Sequence, residues 1–244
     1  MEQRRYKAIF FDLDGTLLPM DMEDFLHRYF IKLRAYIAGN GLDAERFSNA
    51  LNEGMKAMGS EHAGQTNKQV FWQRFMALFG DYDQSVLEGL LMRFYREDFG
   101  GIGSTVKANP AAARAVEALY AKGYPLFLTT MPMFPEPALD WRLQWAHVDP
   151  KRFVRKTTYD NSFALKPSLS YYRQNIDLAG CKSSEVLMVG NNTREDLSIM
   201  QLGADAFLVT DYLLNPIDRP LDNLRHGSLE DFAVWADRLP ECEA

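Results

Sequence analysis

Cysteine is scarce. Two thiols, Cys181 and Cys242, in 244 residues cannot build a disulfide framework, and no Cys/His spacing suits zinc. No window approaches the roughly 20 apolar residues of a membrane span. No apolar run of the kind a secretory leader needs follows the charged Met1–Arg5 segment, so the expectation is a cytoplasmic protein with no membrane partner. Basic runs are missing as well. Lys plus Arg number 27 against 33 Asp plus Glu, a net charge of −6, which argues against nucleic-acid and anionic-membrane partners. There is no internal repeat and no low-complexity stretch, and a hydrophobic fraction of 47% excludes intrinsic disorder. What remains is a globular chain of one large domain, or one domain with an insertion. Its chemistry must rest on carboxylates, hydroxyls and amines.

The first apolar run, Ala8 to Phe11, is continuous rather than alternating, which suits a parallel strand buried on both faces. Four amphipathic helices are expected next. The first carries Phe25, Tyr29, Leu33 and Ile37 at helical spacing, with Asp21 as cap and Gly39 as stop. The second opens at Asp43, the third at a Thr66/Gln69 capping box, and the fourth at Asp83, ending at Gly100-Gly101. After Gly103 the pattern alternates. Helices are expected from Asn109-Pro110 to Lys122, after the Met131–Pro137 loop, from Ser168 to Ala179, from Arg194 to Leu202, and after Ser228. Strands are expected at Tyr124–Thr130, Phe153-Val154, Val186–Val189 and Ala206–Val209. This order predicts an α/β fold, a doubly wound, Rossmann-like parallel sheet, with the helical segment inserted after the first strand. Ligands of such sheets bind at the carboxyl ends of the strands.

Those ends carry the chemistry. Asp12 and Asp14 flank Leu13 after the first strand, and two carboxylates this close repel unless a cation or a shared proton intervenes. Taken alone they are also a turn pair before Gly15. Thr129-Thr130 offers hydroxyls at the end of the second strand, though threonine is common in strands. Lys166 precedes a helix, where a lysine is ordinarily a solvated charge. Gly190-Asn191-Asn192 follows the next strand, with Glu195 and Asp196 beyond it in a helix first turn, where acids favour the dipole. Each is equivocal alone; in this order at successive strand ends they are not.

The order resembles the haloacid dehalogenase (HAD) superfamily of phosphohydrolases. Its first motif is matched by Phe10-Phe11-Asp12-Leu13-Asp14-Gly15-Thr16-Leu17, its second by Thr130, its third by Lys166-Pro167, and its fourth by the Gly190–Asp196 loop. The resemblance implies a core of residues 1–20 and 104–244 with a helical cap at 21–103. It implies Asp12 as nucleophile and Asp14 as general acid and then base, acting on a small phosphorylated substrate. It further implies that Thr130, with Thr129 as fallback, and Lys166 bind the phosphate. Mg²⁺ would be held by Asp12, the backbone carbonyl of Asp14, Asn191 and Asp196.

Two features depart from the family pattern. Asn191-Asn192 stands where an acid normally follows the glycine, removing about one negative charge from the metal site. Met131 replaces the asparagine often found after the motif threonine. Asp14, an acid, favours an oxygen leaving group over a halide, which departs unprotonated. Alternatives are a phosphomutase and a binding or regulatory protein disabled by the asparagine pair. The aromatic residues of 21–103 fall at core spacing, and His27 and His62 are minor candidates for substrate contact. The expected state is a monomer or homodimer.

Overall fold

Strand β1 (Ala8–Phe11) is buried along its whole length in the computed structural model, which describes residues 6–62 and 64–243. The Met1–Arg5 segment lies outside the described residues. Side chains of β1 alternate between two apolar layers. Ile9 and Phe11 join the larger cluster and Ala8 and Phe10 the smaller one, the period of two that a strand covered on both faces requires.

β2 (Leu126–Leu128), β3 (Phe153–Lys156), β4 (Val186–Gly190), β5 (Asp205–Val209) and β6 (Arg225–Gly227) complete a six-stranded sheet in the order β3-β2-β1-β4-β5-β6. Every pairing is parallel. The expected doubly wound α/β sheet is therefore present. Some details differ. β2 is shorter than Tyr124–Thr130, β3 extends two residues beyond Val154, and the edge strand β6 had no signal. The expected Arg194–Leu202 helix is a 3-10 turn over Asp196–Leu202.

Four helices lie between β1 and the next core element: α1 (Met22–Gly39), α2 (Ala44–Met58), α3 (Asn67–Phe79) and α4 (Gln84–Arg93). Asp21, Asp43, Thr66 and Asp83 cap them, and Thr66 and Gln69 form the reciprocal box. α4 then widens into a π-helical turn, Phe94–Asp98, and tightens into a 3-10 turn, Phe99–Gly103. That change of pitch turns Phe94, Tyr95 and Phe99 together toward Tyr29. The inserted helices share the larger apolar cluster with one face of the sheet. α5 (Pro110–Ala121), α6 (Glu136–Trp145), α7 (Leu169–Ala179) and α8 (Leu229–Ala236) cover the sheet. Among the described residues no helix is long and apolar enough to cross a membrane.

Candidate active site

Parallel register brings the site together. Phe11 lies opposite Leu128 and Val189, so the residues after β1, β2 and β4 emerge side by side. The backbone N–H of Asp12 donates to Val189 O at 2.8 Å, and that of Thr129 donates to Phe11 O at 2.7 Å. After Asp12 the chain turns sharply, with Gly15 N–H donating to Leu18 O and Leu18 N–H to Leu13 O. Gly15 has φ +82°, and a Cβ there would fall 2.2 Å from the Asn191 amide nitrogen. The glycine after the acid pair is thus required both by backbone conformation and by close approach.

Asp12, Lys166 and Asp196 form one buried ionic cluster. The Lys166 ammonium donates to Asp12 Oδ1 at 2.7 Å and to Asp196 Oδ1 at 2.6 Å. Burial works against this ammonium, but the facing carboxylates of Asp12 and Asp196 hold its pKa well above the ordinary lysine value. Burial also raises Asp196 above the usual carboxylate range, opposed by the field of Lys166. The second oxygen of Asp196 accepts from the Asn192 backbone N–H at 2.9 Å. A Cβ on Gly190 would lie 2.3 Å from the Asp196 carboxyl carbon, so this glycine makes room for the acid.

Asp14 stands apart from that cluster. Its Oδ2 accepts from Arg142 Nη1 of α6 at 2.5 Å, and Arg142 is 1% exposed. Asp14 Oδ1 and Arg142 Nη2 are both buried without a hydrogen-bond partner among the described residues. Burial pushes the Asp14 carboxyl above its ordinary pKa, while Arg142 pulls in the other direction. The guanidinium also lies over the Phe134 ring, 4.7 Å from its centroid, a cation–π contact that helps hold it in a dry setting.

Most of these groups face one cavity of about 790 Å³, whose walls include Asp12, Asp14, Thr130, Arg142, Asn191 and Asp196. Thr130 is the threonine at the cavity. Its carbonyl is fixed by Tyr171 and Thr157 hydroxyls at 2.8 and 2.9 Å. The Thr129 hydroxyl points instead to Phe11 O and Met188 Sδ. Lys166 is spent on the two carboxylates rather than forming a cavity wall. The Asn191 Oδ1 accepts from Thr16 Oγ1 at 3.2 Å, and the same hydroxyl lies 3.1 Å from Asp12 Oδ2. Asn192 also borders the cavity, but its side-chain oxygen accepts from the Arg194 and Glu195 N–H groups.

Arg142 is the site residue that sequence reading passed over. Its signal was faint: an arginine on the same helical face as Ala138, Leu139 and Leu143, all buried. Of the two histidines within residues 21–103, the His62 ring bonds Ser60 O and Asn67 Oδ1, and neither His27 nor His62 lines the cavity.

A cation here would meet oxygen donors only. Among the described residues no group of three or more His, Cys, Asp or Glu side chains is arranged for a metal. Two carboxylates, Asp12 and Asp196, would act with the Asn191 amide oxygen and a main-chain carbonyl. That set suits a hard divalent ion such as Mg²⁺ but binds it with less charge than three acids would supply. Asp12 Oδ2 and Asn191 Oδ1 already converge on one hydroxyl.

The family model for haloacid dehalogenase-like hydrolases matches residues 6–202. No curated protein sequence matches the chain. Among solved structures, a HAD phosphatase from Thermococcus onnurineus is similar with a TM-score of 0.57 at 20% identity, covering 96% of this chain and 99% of its own. A 2-haloacid dehalogenase from Pseudomonas syringae reaches 0.60 at 16% identity, covering 94% and 99%. A predicted phosphoglycolate phosphatase from Haemophilus somnus reaches 0.56 at 16% identity, covering 96% and 99%. At these identities the likeness speaks for the fold alone.

Proposed function

The chain belongs to the haloacid dehalogenase-like hydrolases, and from that premise we propose that it hydrolyses a small phosphomonoester through an aspartyl-phosphate on Asp12. The observation that carries this reading is the second carboxyl. Asp14 is buried, its pKa is raised, and its Oδ1 is unpartnered beside the cavity. A carboxyl that holds a proton is needed when the leaving group is an alkoxide oxygen and idle when it is a halide.

Asp12 Oδ2 attacks phosphorus, and the P–O bond to the alcohol breaks. Asp14 gives its proton to the departing oxygen, then takes one from the water that attacks the phosphorus of the aspartyl-phosphate; the P–O bond to Asp12 breaks, releasing inorganic phosphate and restoring the carboxylate. Attack of a carboxylate on an anionic ester meets repulsion of about 4 kcal/mol per charge pair at 4 Å and an effective dielectric near 20. Lys166, 2.7 Å from Asp12, offsets part of it, and the hydroxyl of Thr130, a residue of the cavity wall, would donate to a phosphate oxygen. Mg²⁺, held by Asp12, Asp196, Asn191 and the Asp14 carbonyl, would supply the remaining charge neutralisation. The helices α1–α4 serve as a cap that excludes water.

The test is phosphate release from a panel of phosphomonoesters with and without millimolar Mg²⁺, for wild type and Asp12→Asn. Magnesium-dependent release that vanishes in the variant is expected. Phosphate moved within a sugar phosphate without net release would instead mark a mutase. No turnover of any ester by folded protein would contradict the reading and favour a binding role.

A further inference from the structure

A second cavity adjoins the catalytic one. It encloses about 530 Å³ between α1, α2, α3 and the 131–135 loop, a size in the range of small-molecule sites. Leu26, Met133 and Phe134 form walls of both cavities. These three side chains therefore border both the space that holds the reacting carboxylates and the second one. Phe134 is also the ring beneath Arg142, whose guanidinium holds Asp14. The groups thus run from the proton donor, through Arg142 and Phe134, into the second cavity.

We propose that this cavity receives the leaving group, and that the substrate is the monophosphate of a bulky apolar alcohol. The proposal rests on the phosphomonoester reading of Asp12 and Asp14. Its walls argue for the class. Phe30, Leu51, Met55, Met58, Phe71 and Leu91 contribute apolar surface. The hydroxyls of Tyr29 and Tyr95, also in the wall, are spent on each other at 2.7 Å. The exposed Asn52 and Lys56 mark the opening, and the Lys56 ammonium is paired with Glu53 at 2.8 Å. A sugar or nucleoside would surrender its hydrogen bonds to water here with few replacements, which is costly. An alkyl or aryl group loses nothing and gains burial. The aromatic and methionine residues of the inserted helices thus do more than fill a core; part of their surface faces a space that a ligand can occupy.

The experiment measures kcat/KM for ethyl, butyl, hexyl and octyl phosphate, together with calorimetric binding of 1-octanol. Wild type is expected to gain about twofold to fourfold per added methylene, the selectivity that burying each CH₂ supplies. Octanol is expected to bind with a negative heat-capacity change. Met55→Glu places a charge in the wall, so the octyl-to-ethyl ratio should fall toward one and octanol binding should be lost. Asn52→Leu, at the exposed opening, should steepen the series and tighten octanol binding. A flat series with ethyl phosphate turning over would overturn the subsite while leaving the phosphatase reading intact. Absence of octanol binding to wild type would overturn it whatever is hydrolysed. Octanol bound by wild type but not by Met55→Glu, with no ester hydrolysed, would uphold the subsite and refute the reaction assigned to Asp12.

Discussion

Arg142 and Asp14 form a buried pair with one donor and one acceptor left over, and this sets the acid chemistry of the site. Burial raises the pKa of Asp14, and Arg142 restrains that rise. The first step needs Asp14 protonated, so kcat/KM falls as pH climbs through its pKa. Replacing Arg142 by Met removes the restraint, and the alkaline limb of the pH–rate profile is expected to move to higher pH. An unmoved limb would mean that Asp14 is not the group being titrated. Asp14→Asn should slow alkyl phosphates by about 10²- to 10⁴-fold, with p-nitrophenyl phosphate slowed far less because its leaving group needs no proton. Asn191→Asp adds a charge to the oxygen donor set, and the Mg²⁺ concentration for half-activation should drop about tenfold. The same change sets a carboxylate against Tyr212 O, which now accepts from Asn191 Nδ2 at 2.6 Å. A stability loss of about 1–3 kcal/mol should accompany it, read from the denaturation midpoint. Asp12, Asp14, Asn191 and Asp196 were legible because each follows a readable strand. Arg142 was not, since its partner is 128 residues away in sequence and no local pattern encodes that meeting.

Elements were readable where burial and capping agree with local pattern. β1 showed as an unbroken apolar run because both its faces are covered. The starts of α1 to α4 showed because Asp21, Asp43, Thr66 and Asp83 each satisfy first-turn N–H groups. β6 could not show: two of its three residues are exposed at the sheet edge, so neither alternation nor an apolar run marks it. The π-helical turn at Phe94–Asp98 was also hidden, being set by aromatic packing of Phe94 and Tyr95 on α1 rather than by its own sequence. Helix pairing gives a direct test of packing over propensity. Gly54 of α2 approaches α3 so closely that a Cβ would lie 2.6 Å from the Phe71 ring. Gly54→Ala gains about 1 kcal/mol of helix propensity but overpacks the contact at a cost of about 1–3 kcal/mol. The net expectation is a lower unfolding midpoint. A higher one would show that Phe71 moves aside freely. Since Phe71 also lines the proposed leaving-group cavity, the variant should change selectivity between long and short alkyl phosphates as well.

Across the whole molecule, tyrosine governs the alkaline limit. Burial pushes the phenols of Tyr6 and Tyr95 up to about 12, and those of Tyr29, Tyr171 and Tyr172 also rise. Unfolded tyrosine ionises near pH 10, so above that pH the native state holds more protons than the unfolded one. The stabilisation is complete below about pH 10 and is lost as pH rises toward the native values. Denaturation midpoints should be flat on approach to pH 10 and fall steeply beyond it, with the part of the tyrosinate absorbance that belongs to these buried phenols appearing only as the chain unfolds. The fold and family were within reach of sequence because strand order, glycine stops and the Asp12-Leu13-Asp14-Gly15-Thr16 run are local signals. The cavities were not, because residues from α1, α2, α3, α6 and three strand ends meet only when the chain is folded. The central claim is that Asp12 carries the phosphoryl group. The direct measurement is borohydride reduction of enzyme quenched during turnover of an alkyl phosphate, followed by mass spectrometry of the peptide containing residue 12. The account predicts homoserine at position 12, formed only with substrate present and absent in Asp12→Asn. Turnover with Asp12 unconverted, or conversion at a different aspartate, would contradict it.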